Sequence, residues 1–503
     1  MKRVLKNTTA LLGSVLISAC AVGPDFHRPD LPKDVNYQAT PLAGTVGNAQ
    51  SGTGVAQHFQ SGVDISGKWW EVFRNPQLNA LVEQALANNQ SMKAMQTGLK
   101  SAWEQRRIEG AGLYPTISAS FNPTRNKTSR VYSPVPNNNS WLYNVHTAQL
   151  TIGYVPDLWG GTRRAIEAAG AQAEIQKFQL EATALTLISD LVSATIDEAT
   201  LRAQIEATQD LIASQTSALK LITARQKFGD ASEQDMVAQL ASVAQLEATL
   251  PSLNLQLAQT RDQLAVLVGV APNTPLPTFR LEQFTLPQTL PVSLPSDLLN
   301  QRPDIRAAQA QIQSASAQIG VAIANRLPNV QLSALPGQAV GTMSDFFKPG
   351  YGNWTIAATV MQPIFQGGSL LHAERQARDN LLQANETYKA TVLSAIQDVA
   401  DSLHALDFDA DALMANESAY TATGKSLKIA QAQLRLGDVS ELMVLQAQQS
   451  HAQARLAYVQ AQGARFSDSV GLFQSLGGGW WNRNDLGMTP QAQKALGKSL
   501  LPW

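Results

Sequence analysis

The chain has 503 residues, a net charge of −1 and 15% charged residues. That balance excludes the concentrated basic surface a nucleic-acid partner needs, and one cysteine excludes an internal disulfide framework. No apolar run reaches the roughly 18 residues of a membrane-spanning helix, so β-structure is the only way left through a bilayer.

In chain order, Lys2, Arg3 and Lys6 precede the apolar segment Ala10 to Ile17, the pattern of a secretion signal. The segment ends in Leu16-Ile17-Ser18-Ala19-Cys20, which resembles a bacterial lipoprotein cleavage site. That resemblance implies N-acyl and S-diacylglycerol lipid on Cys20 as the one covalent group, with no other cofactor, and Ala21 fits transfer to an outer membrane. Without its signal the chain loses Lys2, Arg3 and Lys6, and its charge falls from −1 to −4. Gly, Pro, Ser and Thr dominate residues 21–75, which read as an extended tether with irregular loops from Gly44 to Gly62. Trp69-Trp70 marks the start of the folded body, and a first helix is expected from Pro76 to about Gly112.

Two period-2 segments follow. Ile117, Ala119 and Phe121 alternate with Ser118 and Ser120; Ala148, Leu150, Ile152 and Tyr154 alternate with Gln149, Thr151 and Gly153. They predict strands over Thr116 to Asn122 and Thr147 to Val155, joined by a loop from Pro123 to Asn144. A second pair is expected around Val330 to Ala334 and Trp354 to Val360, with a loop from Pro336 to Asn353. One polar and one apolar face is the pattern of a membrane β-barrel.

None of the 24 prolines falls between Pro156 and Pro251 or between Pro363 and Pro490. These stretches, rich in Ala, Gln, Leu and Glu, predict helices from about Thr162 to Phe228 and Ser369 to Leu436. Val392, Ile396, Val399, Leu403 and Leu406 form a heptad seam in the second, and Leu185, Ser189, Val192, Ile196 and Ala199 stand at the matching places in the first. Each long helix ends at a Gly-Asp pair, Gly229-Asp230 or Gly437-Asp438, and Ser232 or Ser440 is expected to cap the return helix.

The chain is therefore written twice. Gly229 and Gly437 lie 208 residues apart, as do Gly269 and Gly477, and Val155-Pro156-Asp157-Leu158-Trp159-Gly160-Gly161 returns around Pro363-Ile364-Phe365-Gln366-Gly367-Gly368. Four strands cannot close a membrane barrel, which takes about eight, so the chain must oligomerise. No catalytic group stands out. Thr423-Gly424-Lys425-Ser426 has Ala419 where a phosphate loop needs its earlier glycine, and the six histidines show no metal-ligand spacing.

The lipobox, Cys20-Ala21-Val22-Gly23-Pro24-Asp25-Phe26-His27-Arg28-Pro29, Trp69-Trp70, Leu299-Asn300-Gln301-Arg302-Pro303-Asp304-Ile305, Pro363 to Gly368 and the two Gly-Asp turns together resemble the TolC/OprM outer-membrane efflux factor family. The resemblance covers nearly the whole chain after the signal and points to its lipoprotein, NodT-like members. It implies an α+β membrane protein: a homotrimer with a 12-stranded β-barrel, four strands from each chain, continuing into a long α-helical barrel with a mixed equatorial domain. The expected divisions are a signal peptide (1–19), a lipidated tether and equatorial segment (20–75), a first repeat (76–270), an equatorial linker (271–300), a second repeat (301–477) and an equatorial tail (478–503).

What the family implies is a passive outer-membrane conduit, not an enzyme. Its partners are outer-membrane lipid, a periplasmic adaptor (membrane fusion protein) and an inner-membrane RND or related pump. Adaptor docking then falls on Arg225, Gly229, Asp230 and Ser232 in one repeat and Arg435, Gly437, Asp438 and Ser440 in the other. The family's acidic rings inside the tip have uncharged counterparts here, Met443 and Gln446, while Asp235 stands where Met443 does in the other repeat; these three are the expected pore gate. Two other readings stay open at this point: the same architecture in type I protein or polysaccharide secretion, and a coiled-coil lipoprotein spacer without a pore.

Overall fold

The computed structural model describes residues 21–28, 37, 44–47, 55–128, 142–293 and 297–483. The signal peptide, Cys20, residues 129–141 of the first loop and residues 484–503 of the tail lie outside the described residues.

The elements run β1 (Thr45–Val46), β2 (Gln57–Ser61), α1 (Pro76–Asn88), α2 (Gln90–Ala111), β3 (Thr116–Lys127), β4 (Leu142–Tyr154) and α3 (Gly161–Lys227). They continue with α4 (Glu233–Glu247), α5 (Thr249–Val268), β5 (Thr289–Val292), α6 (Leu298–Gln301), α7 (Pro303–Ala324), β6 (Asn329–Ala334), β7 (Gly337–Val340), β8 (Gly352–Asn353), β9 (Ile356–Met361), α8 (Ser369–Leu436) and α9 (Glu441–Ser475). The two proline-free stretches form the two longest helices, 67 and 68 residues, within a residue of their expected ends. At 1.5 Å per residue each extends about 100 Å.

Several expectations are corrected. The single helix from Pro76 to Gly112 is two, because Asn89 turns out of the helix: its side chain accepts the Met92 amide and donates to Leu267 O. Residues 44–62 are not all irregular, since β1 pairs antiparallel with β2, and β2 parallel with β5. The first return helix breaks between α4 and α5 near Ala248, where Pro251 has no N–H for the Glu247 carbonyl. The proline-free α9 runs unbroken for 35 residues.

Two compact units share the long helices. The first holds residues 1–29, 100–175 and 308–388 and contains the larger sheet. Strands β3 and β4 pair from Thr116↔Gly153 to Lys127↔Leu142, several residues beyond the expected ends. The expected loop from Pro336 to Asn353 is also partly strand: β7 pairs with β4 and with β8. The repeats meet where β4 pairs with β6, at Ile152↔Ala334 and Tyr154↔Leu332, and β6 pairs with β9. Directly opposed residues share a face. One face therefore carries Ile117, Ala119, Phe121, Ala148, Leu150, Ile152, Val330, Leu332, Ala334, Ile356, Ala358 and Val360; the other carries Ser118, Ser120, Gln149, Thr151, Gln331, Ser333 and Thr359. Ile117, Phe121, Leu150, Ile356 and Val360 are exposed.

The second unit holds residues 30–99, 176–307 and 389–503. Its core stacks Trp69 on Phe473 (centroids 5.3 Å apart) and sets Phe73 and Phe284 against Phe466, with Phe279 against Phe284. Helix α8 buries Val392, Ala395, Val399, Leu403, Leu406, Ala410 and Leu413. The heptad seam thus holds, with Ala395 buried more deeply than its neighbour Ile396. Helix α3 is buried on several sides between Leu187 and Ala199, including Glu198, which pairs with Arg202 (2.7 Å) and Arg261 (2.6 Å).

Helices α3 and α9 touch closely at Gly463, where a Cβ would collide with Thr200 Oγ1. That hydroxyl already donates to Ile196 O at 2.8 Å and has little room to retreat. Gly463→Ala is expected to lower stability by about 1–3 kcal/mol through overpacking, read as a drop in the thermal midpoint. An unchanged midpoint would show that the helices slide apart at little cost.

Candidate functional site

Both helix turns lie in the second unit and are built alike. Gly229 and Gly437 sit at φ 81° and 78°, a left-handed conformation open to glycine. The Asp230 amide donates to Arg225 O (2.9 Å) and the Asp438 amide to Gln433 O (3.0 Å), each closing the long helix with a six-to-one bond. The Gly and Asp residues of both turns, with Arg225 and Arg435, are exposed.

The turns differ at the start of the return helix. Ser232 Oγ accepts the Asp235 amide (3.1 Å) while Asp235 Oδ2 accepts from Ser232 N (3.2 Å) and Oγ (2.8 Å), a reciprocal capping box. Ser440 holds the same backbone conformation but makes no side-chain cap, and Met443, three residues on, has no side-chain acceptor for the reciprocal half of the box. The expected cap is therefore found in one repeat only. Ser232→Ala is expected to cost about 1 kcal/mol and Ser440→Ala close to nothing, measured by amide exchange over residues 233–236 and 441–444. Equal effects would refute the asymmetry.

Of the three gate candidates, Asp235 commits its carboxylate to this cap, and Met443 and Gln446 are exposed on α9. Sequence reasoning passed over Phe228 and Leu436, which precede the two turn glycines and are 84% and 77% exposed. Their signal was present, a large apolar residue at the same place in both repeats, where a soluble turn would carry a polar one.

Behind the turns, α3 and α9 are tied by Ser214 Oγ to Gln448 Oε1 (3.2 Å) and by Arg455, which pairs with Glu206 (2.9 Å) and Asp210. Between α8 and α9, His451 stacks on Tyr420 (4.7 Å) and Tyr420 on Tyr458 (5.3 Å). Gly424 lets that histidine close in, since a Cβ there would stand 3.1 Å from its ring. The Thr423-to-Ser426 stretch is thus helix–helix packing inside α8. Met92 is wholly buried in α2, as a core contact.

In the first unit the sheet is the other candidate surface. Its apolar face continues into aromatic contacts of Phe121 with Phe346 (6.0 Å), and of Phe346 with Phe347. Among the described residues no helix is long and apolar enough to cross a membrane. A sheet with one apolar and one polar face, and two helix pairs ending in matched exposed turns, is the build of an export conduit subunit.

The sequence comparisons agree. The family described as "Outer membrane efflux protein" matches residues 81–270 and 294–478, so the chain belongs to that family. The pyoverdine export outer membrane protein OpmQ of Pseudomonas aeruginosa is 29% identical over 425 residues, 82% of this chain and 87% of that protein. The toluene efflux pump outer membrane protein TtgF of Pseudomonas putida is 27% identical over 482 residues, 95% of this chain and 98% of that one. Among solved structures, the CmeC outer membrane channel of Campylobacter jejuni superposes with a TM-score of 0.80 at 21% identity, over 95% of this chain and 98% of that chain. The chain is an outer-membrane component of an efflux system, and its family is one of transport conduits.

Proposed function

We propose that three copies of this chain form one conduit in a tripartite, RND-type pump. Each would give four strands to a 12-stranded barrel in the outer membrane and two helix pairs to a helical barrel in the periplasm. The observation that carries this reading is the open sheet. Among the described residues β3 pairs only with β4, and β9 only with β6, while the apolar face runs unbroken across both repeats. Unpaired strand edges in lipid cost several kcal/mol per group, and partner copies would remove them. Small-molecule cargo fits the pyoverdine and toluene named for the relatives.

In this reading the small sheet β1–β2–β5 belongs to the equatorial segments 20–75 and 271–300, and the lipid on Cys20 anchors the chain beside the barrel. The adaptor meets the two turns through Arg225, Gly229, Asp230, Ser232, Arg435, Gly437, Asp438 and Ser440, with Phe228 and Leu436 as apolar contacts. The gate carries Met443 and Gln446, and Asp235 serves it by fixing the first turn rather than as a free cation ligand.

The test is planar-bilayer conductance of the purified lipidated protein, with its mass measured in detergent. A trimer with small, rare openings that Arg435→Ala enlarges supports a gated duct. A monomer without current, with or without the substitution, leaves a spacer without a pore.

A further inference from the structure

The first described residues have no regular secondary structure yet are held by the β4–α3 junction, α3 and α7. Ala21 packs against Gly160, where a Cβ would stand 2.6 Å from it. The Val22 amide donates to Trp159 O at 3.0 Å. Gly23 lies on Gly320 so closely that a Cβ would reach 2.5 Å from the Gly320 Cα. Ser316 Oγ donates to Pro24 O at 3.3 Å.

Arg164, in the first turn of α3, gathers the segment. Its Nε donates to Val22 O (3.1 Å) and one terminal nitrogen to Gly23 O (3.3 Å) and Asp25 Oδ1 (2.7 Å). The other terminal nitrogen is held by Glu167 at 2.7 Å. The side chain is 6% exposed. All these residues belong to the first unit, which also contains the membrane-type sheet.

Chain ends normally fray unless something ties them down, and an anchor on a slack tether would need no such fixing. A buried guanidinium spent on two backbone carbonyls and a carboxylate holds this peptide in one place. The place is the junction of β4 and α3, where Val155, Leu158 and Trp159 are exposed apolar side chains. Trp159 is itself fixed, its indole N–H donating to Pro328 O at 2.7 Å.

We infer that Arg164 is the positioning residue for the N-terminal lipid anchor: it pins residues 22–25 against Trp159 and Gly160, at the junction of β4 and α3. This rests on the reading that Cys20 is acylated. The anchor then acts at a fixed height relative to the strands and holds the open sheet at the depth where its apolar face meets lipid.

The experiment uses the full-length protein in outer-membrane fractions, as wild type, Arg164→Gln and Arg164→Lys. Each is made with the native signal and again as Cys20→Ala behind a cleavable signal peptide. Mass spectrometry of the N-terminal peptide reports acylation, amide exchange at Val22 reports the clamp, and heat-modifiable oligomer reports assembly. Arg164→Gln is expected to speed Val22 exchange by roughly tenfold or more and to cut oligomer yield several-fold in the lipidated protein only. Arg164→Lys, which keeps the charge and fewer donors, is expected to fall between. Equal loss of oligomer with and without Cys20 would overturn the inference and make Arg164 a structural residue. Unchanged Val22 exchange would overturn it as well. An unmodified Cys20 in the wild type would instead remove the lipid reading beneath it, a failure the mass spectrum separates from the other two.

Discussion

Replacing Leu150 by arginine is expected to abolish outer-membrane assembly, while replacing its neighbour Thr151 is expected to leave assembly intact. Leu150 sits mid-strand in β4, opposite Ala119 of β3, and its backbone N–H is bonded to Pro336 O at 2.9 Å. Its side chain lies 44% exposed on the face that carries Ile117, Phe121 and Ile152. If that face meets lipid, an arginine near the bilayer midplane costs about 2–4 kcal/mol per copy, repeated in every copy of the oligomer. Thr151 opposes Ser118 on the other face. An arginine there would stand in the aqueous lumen, tolerated and able to alter ion selectivity. Heat-modifiable oligomer in outer-membrane fractions reads the first effect and single-channel reversal potential the second. The opposite outcome, Leu150→Arg assembling and Thr151→Arg failing, would turn the sheet inside out and sink the proposed barrel.

The second large effect lies in the helical unit. Asp468 on α9 is hydrogen-bonded to Asp409 on α8, and one of its oxygens, Oδ2, has no partner. Burial first, and the Asp409 carboxylate second, push Asp468 up to about 7, against the pull of Arg465. That arginine is 1% exposed and gives its hydrogens to the Leu406 and Val46 carbonyls. The other charge near Arg465 is Asp407.

The sign follows from linkage. The folded protein keeps a proton that the unfolded chain releases near its ordinary 3.8. Stability is therefore lost as pH rises from about 4 to about 7, and the loss persists above that. Asp468→Asn keeps the hydrogen bond and removes the charge. It is expected to raise stability by ~2 kcal/mol at pH 8 and by little at pH 4. The comparison of variant with wild type isolates this group from Asp190 and Asp197, which burial also raises, and from Glu374, which its arginine partners lower. Denaturant midpoints at the two pH values decide it: a gain that is no larger at pH 8 would mean that Asp468 is ionised in the folded protein without penalty.

Much of this molecule was legible along the chain, because helices and strands are set by the backbone's own periods. Proline-free stretches named α3 and α8, and alternation named β3, β4, β6 and β9, since a strand turns its side chains over every second residue. The paired glycines at 229 and 437 named the turns. What sequence missed at this level was local chemistry of neighbours, such as Asn89 ending one helix and starting the next.

The tertiary structure decided what depends on residues far apart. Two separate hairpins are evident in the sequence, yet only the register Ile152↔Ala334 joins them with their apolar faces on one side; a slip of one residue would have put leucines opposite the polar row. Asp235 reads equally well as a gate carboxylate or as a solvated surface side chain until Ser232 is seen bonded to it. Asp468 and Asp409 are 59 positions apart, as are Arg465 and Leu406, whose carbonyl it binds. Arg164 lies 139 positions from Asp25. Desolvation and ion pairing come from whatever the fold packs alongside a residue, and no local periodicity encodes that.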